Sequence, residues 1–183
     1  MAKTINFCGD SFCYHIESPS WPYLLARSLK CKIVGRGKGG SAYEHAIQSF
    51  DNTTDYTVFC WTEPHRLHHP KYPLSNTCAS ENKNVNKVYA SAHAYLQNVH
   101  DYAYGERRQT RELYWFDHEV LSQYQGVILH CWSFKQTYQF KNGINFETPL
   151  NTLVKQSEEQ LNHLTHETNF KLFTQLYKLL RSN

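Results

Sequence analysis

Four short apolar runs divide the chain: Thr4 to Cys8, Cys31 to Gly35, Tyr56 to Trp61 and Gly126 to Trp132. Each is continuous rather than alternating, the pattern of a strand covered on both faces of a parallel sheet. Between them apolar residues recur at helical spacing. A first helix is predicted after SPSWP, with Tyr23, Leu24, Leu25 and Leu29 apolar and Pro22 tolerated near its start. A second, Ala42 to Phe50, opens at Ser41, and Ser41 with Glu44 has the spacing of a capping box. Asn84 to Gln123 holds one or two helices, with a break expected at Gly105. The last helix runs from about Glu167 to Leu180, with Phe170, Phe173, Leu176, Tyr177 and Leu180 on one face as a core stripe. Pro64 to Lys83, with Pro70 and Pro73 inside it, reads as a long irregular loop, the kind that often serves a site.

Alternating strands and helices predict an α/β fold, a three-layer α/β/α sandwich with a mostly parallel sheet, formed by one domain over residues 1–183. Such sheets bind ligands beyond the carboxyl ends of their strands. Ser11 lies just past the first strand, Gly39 and Gly40 past the second, and Glu63 past the third. All three loops should open on one edge.

Composition narrows the classes. With 40% hydrophobic and 15% aromatic residues among 183, the chain has the material for a packed core and not the make-up of a disordered one. A net charge of +3 without a concentrated basic stripe argues against a nucleic-acid partner. Arg107, Arg108 and Arg111 lie next to Glu106 and Glu112, as on a solvated helix face. No apolar stretch suits a membrane span, and the N-terminus has no signal-peptide pattern, so no membrane partner is expected. Six cysteines without CxxC spacing read as reduced thiols of a cytoplasmic protein. No zinc site is expected from them, and Glu63, His65, His68 and His69 lack metal-ligand spacing.

Three stretches carry chemistry. In INFCGDSFC an apolar run stops at Gly-Asp-Ser and places Ser11 at a strand exit, with Asp10 bracing the turn through local hydrogen bonds. In VGRGKGGSAYE four glycines precede a helix, so the amide of Gly40 or Gly39 can approach a ligand as an oxyanion donor. Phosphate binding is the competing use, but the spacing fits neither the P-loop nor the dinucleotide fingerprint, and no cofactor is expected. In QLNHLTHETNFKLF a loop before the final helix carries His163, a candidate base for Ser11. His166 is the alternative.

The order of these blocks, GDS near the start, a glycine loop after the second strand and His-Leu-Thr-x-Glu before the last helix, resembles the SGNH (GDSL-like) hydrolase superfamily. The resemblance spans nearly the whole chain. It implies a flavodoxin-like fold and ester hydrolysis through an acyl-enzyme. Ser11 would be nucleophile and first oxyanion donor, Gly40 the second donor and His163 the base; His163 is preferred over His166 because Leu164, Thr165 and Glu167 then match the residues after the family histidine. Two departures stand out. Where the family has a Gly-x-Asn-Asp block, with asparagine as third donor, this chain reads CWTEPHR, leaving Thr62, Glu63, His65 and Arg66 near that place. A carboxylate such as Glu63 accepts hydrogen bonds and does not donate them. Where the family has an aspartate three residues before its histidine this chain has Gln160, with Glu158 and Glu159 close by.

The resulting expectation is an esterase or acetylesterase acting on a small ester or an O-acylated carbohydrate. The alternative is an SGNH-like domain without turnover, kept for binding or structure. The GDSFC and TEPHR stretches also resemble those of small proteins encoded by tailed phages, which would suit a virion or host-cytoplasm role.

Overall fold

All four apolar runs form strands: β1 (Thr4–Gly9), β2 (Lys32–Gly35), β3 (Tyr56–Trp61) and β4 (Val127–Trp132). With a two-residue fifth strand, β5 (Ile144–Asn145), they pair in parallel in the order β2-β1-β3-β4-β5. The computed structural model describes residues 2–154 and 160–182. The strand order reverses between β1 and β3. At such a switch point the loops after the two strands diverge and leave a crevice at their carboxyl ends.

Continuous apolar strands are needed because alternate side chains feed two different cores. Ile5, Phe7, Val58, Cys60, Leu129 and Cys131 face one side and pack against Trp21 and Leu25 of α1 (Trp21–Ser28) and Leu172 and Leu176 of α6 (His166–Ser182). Cys8, Phe59, Trp61, Ile128 and Trp132 face the other, against Tyr43 and Ala46 of α2 (Tyr43–Gln48) and Leu113 of α5 (Tyr102–Trp115). The result is a three-layer α/β/α sandwich. A smaller cluster, Leu74, Ala79, Ala92 and Leu96, joins α3 (Asn76–Asn82) to α4 (Lys87–Asn98). Among the described residues no helix is long and apolar enough to cross a membrane. All six cysteines are free thiols.

Several expectations need correction. Ser41 and Glu44 form no capping box: the second helix starts at Tyr43 and ends at Gln48, its N-cap Ala42 has no capping side chain, Ser41 Oγ donates to the Gly9 carbonyl, and Glu44 pairs with Arg108 at 2.8 Å. Tertiary partners have outbid the local ones. The break between α4 and α5 falls at residues 99–101, not at Gly105, because Asp101 caps α5 through the Tyr104 amide. Gly105 sits inside α5, where the His65 and His100 rings pack against its backbone. The 64–83 stretch is not all loop: Ser75 caps α3, and Leu67 bridges Leu74. Phe170 is 60% exposed, since the inward face of α6 is centred on Asn169, Leu172 and Leu176. Of the arginine cluster, Arg108 is half-buried against Glu44 rather than fully solvated.

Candidate active site

The site is built on the switch point. β1 ends at Gly9, where β3 runs so close that a Cβ would sit 2.3 Å from the Cys60 carbonyl oxygen. The chain then turns sharply through a single 3₁₀ turn, Ser11–Cys13. Asp10 caps it: its Oδ1 accepts from the Phe12 amide (3.0 Å) and from Ser133 Oγ (2.8 Å), so the turn is tied both to itself and to the end of β4. Asp10 is fully buried, so it lies under the site rather than lining it. Burial raises its pKa; the Arg66 guanidinium, the Phe12 amide and the Ser133 and Thr62 hydroxyls act against that rise.

The glycine loop is laced to the same turn. The Gly37 amide donates to Cys13 O (3.0 Å), while Gly9 O accepts from the Lys38 amide (2.9 Å) and Ser41 Oγ (3.1 Å). Gly40 has φ +66°, and a Cβ there would meet Pro73 Cβ at 2.4 Å. Both the backbone conformation and the space therefore demand glycine. Gly40→Ala is expected to cost about 1–2 kcal/mol of stability; an unchanged thermal melt would refute that account of the turn.

His163 arrives from the far end of the chain. Leu161 and Leu164 exchange two backbone hydrogen bonds, each 3.0 Å, around a tight loop in which Asn162 and His163 have φ +55° and +65°. Two asparagines pin this loop. Asn162 Oδ1 accepts from the His15 amide (2.7 Å) and its Nδ2 donates to His15 O (3.0 Å). Asn169 Nδ2 donates to the carbonyls of Leu161 and Leu164, and its Oδ1 accepts from the Trp21 amide. The imidazole rests on Phe12, ring centroids 5.0 Å apart, and its Nε2 lies 2.8 Å from Ser11 Oγ. His166 lies exposed at the start of α6. Asn162→Ala would leave two part-buried backbone groups of His15 without their side-chain partner and put alanine in the left-handed region, a loss of about 1–3 kcal/mol. Urea denaturation measures it, with Asn162→Gly, which keeps the backbone conformation, losing less.

Ser11, Phe12, Gly40, Arg66, Phe134 and His163 share one cavity of about 480 Å³, completed by Ser75, Cys78, Asn151 and Val154. That volume is in the range of small-molecule sites. The other candidates stand apart. Gly39 does not line the cavity, nothing packs within 4 Å of where its Cβ would be, and Gln160 is half-buried outside it. Thr62 is buried, its carbonyl accepting from Gln109 Nε2. Glu63 turns to Arg66, with Nε to Oε1 3.1 Å, and does not line the cavity. His65 Nδ1 meets His100 Nε2 at 3.3 Å, away from Ser11, and burial, then the neighbouring His100, lowers its pKa. Glu158 and Glu159 lie outside the described residues. Among the described residues no group of His, Cys, Asp or Glu is arranged to hold a metal ion.

Reading the chain alone missed Phe134, Ser75, Cys78, Asn151 and Val154 in the lining and Asn162 and Asn169 in support. Phe134 had a signal: it follows β4 at the same carboxyl edge as the other three loops. Asn162 had a weaker one, since asparagine tolerates the left-handed backbone that a tight loop before His163 needs. A larger cavity of about 670 Å³, between α4 and the Leu67–Leu74 segment, is lined by Glu44, His68, Lys87 and Arg108 but holds no hydrogen-bonded Ser–His pair among the described residues.

No family model matches the chain, and no curated protein matches it. A comparison of folds finds a solved structure from Agrobacterium tumefaciens str. C58, described as "a putative arylesterase", at 13% sequence identity and a TM-score of 0.44, covering 98% of this chain and 99% of that one. At that level of likeness no role is transferred from it.

Proposed function

We propose that the protein is an SGNH-type ester hydrolase in which Ser11 is the nucleophile and His163 the base. One observation carries this reading: His163 Nε2 stands 2.8 Å from Ser11 Oγ on the wall of a cavity of about 480 Å³. Two residues 152 apart in sequence meet there, each on a backbone turn held by buried hydrogen bonds. Such pre-set contact between a hydroxyl and an imidazole is the arrangement that nucleophilic acyl transfer requires.

With Nε2 unprotonated, His163 takes the Ser11 proton as Oγ bonds to the acyl carbon. The carbonyl π pair moves to oxygen, towards the amides of Ser11 and Gly40. Collapse of that oxyanion breaks the bond to the alcohol, which leaves with the proton from His163. Water, deprotonated by the same imidazole, then frees the acid and restores Ser11. Phe12, Phe134 and Val154 make one wall apolar, suited to a short acyl group, while Asn151 and Ser75 offer polar contacts for an alcohol such as a sugar. The substrate class is accordingly a small ester or O-acylated carbohydrate, met in a reducing, cytoplasmic compartment that leaves the six thiols free.

The test is hydrolysis of an activated acetyl ester by the wild-type protein beside Ser11→Ala and His163→Ala. A second reading, a binding or structural domain without turnover, draws on Gln160, which has no ionisable group where an orienting acid is wanted. Equal background rates in all three proteins, with no labelling of Ser11 by a fluorophosphonate, would select it.

A further inference from the structure

The Ser11 cavity lacks an asparagine donor after β3 but has a guanidinium there. Arg66 is 8% exposed and lines the cavity beside Ser11, Gly40 and His163. Its contacts place it between the two turns that form the site. Nη1 donates to the carbonyl of Ser41, the residue after Gly40 (3.3 Å), and lies 3.7 Å from Oδ2 of Asp10, the residue before Ser11. Nε donates to Glu63 Oε1 at 3.1 Å, and the guanidinium carbon sits 5.3 Å from the centre of the Phe134 ring. Two of the group's donors, on Nε and Nη1, are therefore hydrogen-bonded, while Nη2 has no partner among the described residues and is not sealed as a buried orphan.

We infer that Arg66 is a catalytic residue, its Nη2 donating the third hydrogen bond to the oxyanion formed on Ser11, and that Glu63 is the positioning residue that holds the guanidinium fork at that angle. The inference rests on the Ser11–His163 reading above and deepens it. It also gives Glu63 a role: rather than facing an oxyanion it would repel, its carboxylate is turned away onto Nε.

The same contacts decide between two uses of the arginine. A free cation in a pocket captures an anionic substrate group. Arg66 is paired with the Glu63 carboxylate at 3.1 Å and lies 3.7 Å from the Asp10 carboxyl, so it is not a free cation. What remains is an oriented N–H on a side chain that is itself nearly buried, the preorganisation an oxyanion donor needs. Asn151, the amide side chain in the lining, is exposed and lacks that fixation.

The experiment compares wild type, Arg66→Lys, Arg66→Ala and Glu63→Gln on a neutral activated acetyl ester, with folding checked by circular dichroism and thermal melting. The expected result is a loss of about 10²–10³-fold in kcat for both arginine variants, with KM nearly unchanged. Glu63→Gln keeps an acceptor and should lose about tenfold. Ethylguanidinium should restore part of kcat to folded Arg66→Ala, which a merely structural role would not allow. If Arg66→Ala does not fold, Arg66→Lys carries the comparison. A folded arginine variant within about threefold of wild-type kcat overturns the donor role and leaves Ser11 and His163 standing. A wild type that neither hydrolyses the ester nor labels at Ser11 overturns the underlying reading, and the role of Arg66 with it.

Discussion

Ser11→Ala and His163→Ala are each expected to lower hydrolysis of an activated acetyl ester by about 10³-fold or more, with the fold intact. Removing one member of a nucleophile–base pair costs nearly as much as removing both, because neither acts alone. The double variant should therefore be scarcely slower than either single one. Ser11 is partly exposed and His163 exposed, and neither fills the core, so Ser11→Ala should leave the melting temperature close to wild type, while His163→Ala, which puts alanine at φ +65°, should lower it modestly without unfolding the protein. The wild-type rate itself should be modest, since Gln160 supplies no carboxylate to orient the imidazole. Activity lost in His163→Ala but kept in Ser11→Ala would point to another nucleophile.

Acid should destabilise the fold through one residue of β4 that takes no part in that chemistry. His130 is fully buried, stacked face to face on Phe140 with centroids 3.7 Å apart. Its Nδ1 accepts from Trp61 Nε1 (3.0 Å) and its Nε2 donates to Asn142 O (2.9 Å). Those bonds define the neutral ring, and a second proton would have to stand on Nδ1 facing another N–H. Burial pushes its pKa down to about 4, against smaller upward pulls from Asn142 O and Asp117. The sign follows. Above the unfolded value of about 6.5 both states are neutral and the contribution is complete. As pH falls the unfolded chain takes up a proton that the folded one refuses, so stability drops until the folded pKa is reached. The loss between pH 7 and pH 4 should be on the order of 3 kcal/mol. Urea denaturation across that range measures it, and the His130 ring resonance identifies the group. A His130 midpoint near 6.5 would refute the assignment.

The layers were legible because burial on two faces leaves an unbroken apolar signature. Val58 and Cys60 pack on one side and Phe59 and Trp61 on the other, so four consecutive positions of the run are apolar. β5 was not legible: two residues, Ile144 and Asn145, hold too little pattern to separate from loop. The capping box at Ser41 failed for a different reason. Its motif is local, and the hydroxyl was drawn to Gly9 O, a partner 32 residues away.

The sequence by itself determined four of the five sheet strands, the two layers of helices and the order Ser11, Gly40, His163, since periodicity and glycine spacing are properties of neighbouring residues. Only the tertiary structure decided that Ser11 and His163 touch, that Asn162 and Asn169 hold the loop between them and α1, and that Glu63 turns to Arg66. These contacts join residues far apart in the chain, except for Glu63 and Arg66. That pair is three apart, and even its orientation depends on Ser41 and Asp10 from other loops. A side chain's direction is set by what surrounds it in space, and no local pattern records that.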